Sequence, residues 1–154
     1  MTRLIPVLSE DEVLVMGTFL REGVRFLAVG GWAVQYYGHN RTRKDLDLLI
    51  ETSPENVERL RKAFVSLGTD LADPREYTRL SEDRKVVVRV GYYPVEIQTA
   101  IDGVRFSDAW AGAELVTSQG VRFCVISKRH LITNKLSTAR PRDLEDLTAL
   151  QKVG

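Results

Sequence analysis

The run FLAVGG (Phe26 to Gly31) ends an apolar stretch on a bare glycine pair, and fourteen residues after Gly31 the chain places Asp45 and Asp47 inside DLDLLI (Asp45 to Ile50). This pairing constrains the fold more than any other feature. A short apolar run cut off by Gly-Gly reads as a buried strand that turns sharply. WAVQYYG (Trp32 to Gly38) reads as a short helix closed by glycine, and DLDLLI as a second strand. Side chains two apart on a strand share a face, so Asp45 and Asp47 point the same way with Cα atoms roughly 7 Å apart. Leu46 and Leu48 then point to the opposite side, into a core.

The other segments follow from their own patterns. Ser9 and Glu12 form a capping box, and Val13, Met16, Phe19 and Leu20 give the following helix an apolar face that ends near Gly23. SPENVERLRKAFVSLG begins with a Ser53 cap and Pro54 at the first helical position. Val57, Leu60, Phe64 and Leu67 line one side, and Gly68 ends it. YTRL, KVVVRV and VEIQT read as three strands, joined by turns at SEDR (81–84) and GYYP (91–94). ELVTSQGVRFCVIS reads as a hairpin turning at Gln119-Gly120. Ser127 starts a helix over 128–138, and RPRDLEDLTALQ starts a last one with Pro141 in its first turn. This order predicts a mixed α/β (α+β) fold: a largely antiparallel or mixed sheet flanked by helices, with further helices at the C-terminus.

Length and composition set the limits. The chain has 154 residues, enough for one domain with a sizeable core, and no linker or repeat suggests a boundary within 1–154. It carries 22 basic and 21 acidic residues, a net charge of +1, so no global field draws it to nucleic acid or membrane. Cys124 is the only cysteine and excludes an internal disulfide; its apolar neighbours suggest a buried structural thiol. No apolar run is long enough to span a bilayer, and the first residues lack a signal-peptide core, so the expected location is the cytoplasm.

Two readings of the paired carboxylates stand side by side. In one, Arg41, Arg43 and Lys44 balance an exposed acidic strand face through salt bridges. In the other, the face holds metal ions for phosphoryl chemistry, which in two-metal sites lie roughly 4 Å apart. Such chemistry also needs room for a triphosphate, and Gly30-Gly31, passing from strand to helix, lets phosphate oxygens approach backbone amides. PVEIQ offers a third acid, Glu96, between inward-facing Val95 and Ile97.

In this pattern the residues resemble the nucleotidyltransferase superfamily of DNA polymerase β. VGGWAVQYYGHNRTRKDLDLLI is similar to the compact bacterial branch that includes AbiEii-like toxins and antibiotic nucleotidyltransferases, with Gly30, Gly31, Ala33, Gly38, Arg41, Asp45 and Asp47 in register. KRHLITNKLSTARPRDLEDLTAL resembles the C-terminal helices of that branch, with Lys135 and Asp143 at matching positions. The resemblance implies a nucleotidyltransferase fold in which Gly30 and Gly31 hold the triphosphate of an NTP. Asp45, Asp47 and Glu96 would be the catalytic and metal-binding residues, ligating two Mg²⁺, with Glu96 also a base for the acceptor hydroxyl. Arg41 and Lys135 would contact the nucleotide. Arg43 stands where that branch usually has Thr, Glu96 where Asp is common, and Gln98 where an apolar residue is ordinary.

The remaining candidates are weaker. Trp32, Tyr36 and Tyr37 can stack on a base, but an aromatic helix face more often packs a core. His39 and His130 have no partners at metal spacing and read as structural or surface residues. Lys128 to His130 form a basic helix start, which fits a solvated face better than an RNA-facing patch. Two functions therefore compete. One is a nucleotidyltransferase moving an NMP to a hydroxyl on a small molecule, an RNA such as a tRNA end, or a protein, as part of a toxin–antitoxin system. The other is a catalytically weak nucleotide- or partner-binding module of the same fold. An antitoxin or a second copy of the chain would be the protein partner.

Overall fold

A computed structural model describes residues 5–82 and 84–152. The chain opens with helix α1 (Glu10–Arg21), whose capping box is formed in both directions between Ser9 and Glu12. Strand β1 (Phe26–Val29) follows, buried throughout, and passes directly into helix α2 (Gly30–Tyr36). Strand β2 (Leu46–Ile50) returns antiparallel to β1, with Val29 opposite Asp47. Helix α3 (Pro54–Ser66) is capped by the Ser53 side chain, which accepts from Asn56 N. Asn56 in turn is fully buried and hydrogen-bonds the Arg25 and Glu51 backbones, locking α3 to the ends of β1 and β2.

The segment 77–80 was expected to be a strand and is not. Helix α4 (Arg75–Arg79) runs through it after Pro74. The aromatic and β-branched residues of YTRL favour a strand locally, but Tyr77 is buried edge-on against Phe64 and donates its hydroxyl to Asp70 at 2.5 Å. Tertiary packing outweighs a weak local preference there. Of the turn expected at Ser81 to Arg84, Asp83 lies outside the described residues.

Strands β3 (Val87–Arg89) and β4 (Val95–Gln98) form an antiparallel pair joined by the GYYP turn. A short helix, α5 (Phe106–Ala111), precedes strands β5 (Glu114–Ser118) and β6 (Val121–Val125). Six residues are too few to show a helical period, so the sequence pattern does not mark α5. The hairpin turns at Gln119 and Gly120, both with positive φ (52° and 82°), as a two-residue turn matched to strand twist requires. Helix α6 (Lys128–Thr138), capped by Ser127, and helix α7 (Pro141–Lys152) complete the described chain.

The strands make one sheet in the order β3-β4-β2-β1-β6-β5. The β1–β2, β3–β4 and β5–β6 pairs are antiparallel, and the β2–β4 and β1–β6 pairs parallel. The sheet is therefore mixed, as expected. Leu46, Leu48, Val95 and Ile97 are fully buried on one face, each contributing about 1.5–3 kcal/mol by leaving water. The apolar face of α1 differs in part from the sequence reading: Val15, Met16 and Phe19 are buried, whereas Leu20 is exposed. Cys124 is only half-buried, because strand alternation gives the core to Phe123 and Val125 instead; partial burial pushes its thiol up.

Candidate active site

The face of β2 and β4 opposite the buried leucines forms the floor of a cleft of about 610 Å³. Gly30 and Gly31 line one end, and α6 and α7 supply the facing wall through Asn134, Lys135, Thr138, Arg140, Arg142 and Asp143. A cleft of this size and polarity fits a small-molecule ligand. Asp45, Asp47 and Glu96 all line it. Parallel pairing of β2 and β4 sets Asp47 directly opposite Glu96, and Asp45 immediately precedes β2. All seven residues expected to form a site, including Arg41 and Lys135, border this one cleft.

The carboxylates crowd one another. Burial is the main cause that raises Asp47, reinforced by Glu96 and Asp45, and together they push its pKa up to about 6 against the pull of Lys135 and Arg43. Glu96 is also raised, first by burial, then by a hydrogen bond and like charge from Asp45, with Arg89 acting the other way. Such mutual repulsion is what a cation between the groups offsets.

The donor set, three carboxylates with no nitrogen or sulfur ligand, suits a hard divalent ion such as Mg²⁺. Among the described residues no three His, Cys, Asp or Glu side chains form a ready-made metal cage. Asp45 is engaged elsewhere: its Oδ2 accepts from Arg89 Nη1 at 2.6 Å. The residues fit the ion in kind and share one cleft, with Asp45 paired to Arg89.

The glycine pair has a steric role the sequence left open. Gly30 has φ of 61°, and a Cβ there would run into the Asp47 carboxylate. A Cβ on Gly31 would lie 2.8 Å from Arg43 Cβ. Both positions stay bare so that β2 can bring its acid against the start of α2. The N-cap residue Val29 makes no side-chain hydrogen bond to the first turn of α2, and Gly30 and Gly31 in that turn line the cleft.

The basic residues divide by partner. Arg41 reaches Asp146 through Nε at 2.7 Å and Nη2 at 3.2 Å, and Asp146 is fully buried. Lys135, itself buried, bridges Asp143 and Asp146, each at 3.1 Å from Nζ. Burial works against a charged Asp143, but hydrogen bonds from Arg140, Thr138 and Lys135 outweigh it and hold its carboxyl well below the usual range. Arg43 forms a bidentate pair with buried Glu12, at 2.7 and 2.8 Å. Neither Arg41 nor Arg43 forms an ion pair with the Asp45/Asp47 face; Arg89 pairs with Asp45, and Lys135 and Arg43 act on Asp47 through space.

Asp146 and Arg89 were not singled out in the sequence. Asp146 follows Asp143 by three on α7, a spacing that puts both on one helix face and was there to be read. Arg89 carried no such signal, since its place depends on the β3–β4 register. Trp32 is fully buried, stacked on Tyr36 and edge-on to Phe123, and Tyr37 donates to Ile126 O at 2.7 Å. These rings belong to the core. His39 lies 3.5 Å from Asp146, and His130 Nδ1 meets the Ser127 hydroxyl at 3.0 Å, both structural positions.

Strand order, flanking helices and a glycine turn beside a paired-acid strand define a nucleotidyltransferase-like fold. The chain is similar to the solution structure of the antibiotic-resistance factor ANT(2'')-Ia, with a TM-score of 0.61 and 15% sequence identity over 96% of this chain and 86% of that one. At that identity the likeness is one of fold alone. No protein-family model matches the sequence, and neither does any curated protein. Among the described residues no helix is long and apolar enough to cross a membrane.

Proposed function

We propose that the chain is a metal-dependent nucleotidyltransferase that moves an NMP from an NTP to an acceptor hydroxyl and releases pyrophosphate. The observation that carries this reading is the meeting of Asp45, Asp47 and Glu96 on one cleft floor, beside the Gly30-Gly31 turn. Asp45, Asp47 and Glu96 would hold two Mg²⁺, which when bound neutralise the triphosphate. Gly30, Gly31 and the first-turn amides of α2 would face its phosphate oxygens. Arg41 and Lys135 border the same space and add positive potential while anchored to Asp146. Glu96, with its raised proton affinity, would take the proton of the acceptor hydroxyl as the new oxygen–phosphorus bond forms and the bond to pyrophosphate breaks.

The acceptor is a hydroxyl on a small molecule, an RNA or a protein. Incubation with labelled NTPs, Mg²⁺ and lysate tests the reading: wild type should label an acceptor, and the Asp45→Asn/Asp47→Asn double variant should not. Equal labelling by the folded double variant would refute it. In a toxin–antitoxin setting, expression of the chain alone should arrest growth and the double variant should not.

A second reading is favoured by the Asp45–Arg89 pair, which engages one of the three acids. In it the same fold binds nucleotide, or a partner, with little turnover. Calorimetry showing tight Mg-NTP binding without transfer across a broad acceptor screen would select this reading.

A further inference from the structure

Of the arginines around the acid trio, four line the cleft and are committed elsewhere: Arg140 pairs with Asp143, Arg142 donates to the Thr42 carbonyl, and Arg41 and Arg43 hold buried acids. Arg41 and Arg43 each hold a buried carboxylate, Asp146 and Glu12, with their own side chains only 16% and 12% exposed. Arg89 differs. It lies on edge strand β3 opposite Glu96 and reaches across to Asp45, with half of its side chain in solvent. Exposed ion pairs of this kind are weak and exchange readily, whereas buried ones do not. Asp45 meanwhile accepts from Arg89 at 2.6 Å, while its neighbours on the cleft floor are the carboxylates of Asp47 and Glu96.

We infer that Arg89 is a competitor for the cation position of this site: from edge strand β3 its guanidinium ion-pairs Asp45 and competes with a divalent ion for that carboxylate. This rests on reading Asp45, Asp47 and Glu96 as cation ligands. A half-exposed cation at this point offsets part of the repulsion among three acids that share one cleft. It also makes metal affinity depend on how easily Arg89 lets go, a dependence Arg41 and Arg43 cannot supply.

Mn²⁺ binding to the full chain without nucleotide, followed by electron paramagnetic resonance of the free ion, tests this apart from catalysis. Arg89→Gln should tighten Mn²⁺ binding roughly tenfold, as expected when a positive charge and an ion pair near a divalent ion are removed. Arg89→Lys, which keeps the charge, should stay near wild type. In an Asp45→Asn background the gain from Arg89→Gln should vanish, because the carboxylate in dispute is gone. An Arg89→Gln variant with unchanged or weaker Mn²⁺ binding overturns the inference. So does a gain that persists with Asp45→Asn, which would mark a general charge effect. If wild type binds Mn²⁺ and Arg89→Gln changes nothing, only the role of Arg89 fails. If neither protein binds Mn²⁺, the reading of the acid trio fails with it.

Discussion

Asp47 and Glu96 face each other across the parallel β2–β4 pair, one residue directly opposite the other. That register brings two carboxylates from distant parts of the chain onto one cleft floor, with Asp45 at the strand entrance beside them. Leu46, Leu48, Val95 and Ile97 hold the register, because a slip of either strand by one residue would turn its two fully buried apolar side chains to the other face. The acidic face is thus fixed by the apolar one.

The crowding of Asp47 makes the metal-free protein pH-sensitive. Its proton affinity is raised in the folded state, from an ordinary 3.8 to about 6. The folded state therefore prefers the protonated acid, and this contribution is complete below about pH 4 and is lost as pH rises through 6. The difference is worth about 3 kcal/mol at most. Urea unfolding in chelator should show wild type losing stability between pH 4 and 7 relative to Asp47→Asn, whose side chain does not ionise. Parallel pH profiles for the two proteins would contradict this.

Gly30 and Gly68 both have positive φ, at 61° and 71°, but only Gly30 has a neighbour where a Cβ would go. Gly68→Ala should cost about 1–2 kcal/mol, the backbone penalty alone. Gly30→Ala adds an overlap with the Asp47 carboxylate and should cost about 2–4 kcal/mol. Thermal unfolding should rank the two variants in that order, and equal losses would show that Asp47 yields freely.

Arg43→Thr installs the residue usual in the branch that the sequence resembles. In this chain it strands Glu12, which is 2% exposed and pairs with both guanidinium nitrogens. Breaking a buried pair from one side costs about 3–5 kcal/mol. Glu12→Gln in the same chain should recover part of that loss, since it removes the unpaired charge. A double-mutant cycle by chemical denaturation checks the coupling, and simple additivity would rule it out.

Asp146 ties Arg41, Lys135 and His39 together at the cleft wall. Asp146→Ala should destabilise the chain by about 3–5 kcal/mol, because it leaves the buried Lys135 with Asp143 alone. Arg140→Ala should cost about 1 kcal/mol or less, since its side chain is 72% exposed. Similar losses from the two would mean that burial does not govern this network.

Local signals fixed much of this protein. The capping box at Ser9, the cap and proline at Ser53-Pro54, the positive-φ turn at Gln119-Gly120 and the Ser127 cap each act within a few residues, so the sequence alone placed those elements. The same holds for the alternation that sets Asp47 and Glu96 opposite to buried neighbours. Helix α4 escaped because the burial of Tyr77 against Phe64 decides it, and Phe64 lies on another helix. Arg89 escaped because its contact with Asp45 depends on strand order, which no periodicity encodes. Short-range hydrogen bonding and hydrophobic period are written in the chain. Which charges end up sharing a low-dielectric cleft is settled only when the sheet assembles, because electrostatic energy depends on distance and burial rather than on sequence separation.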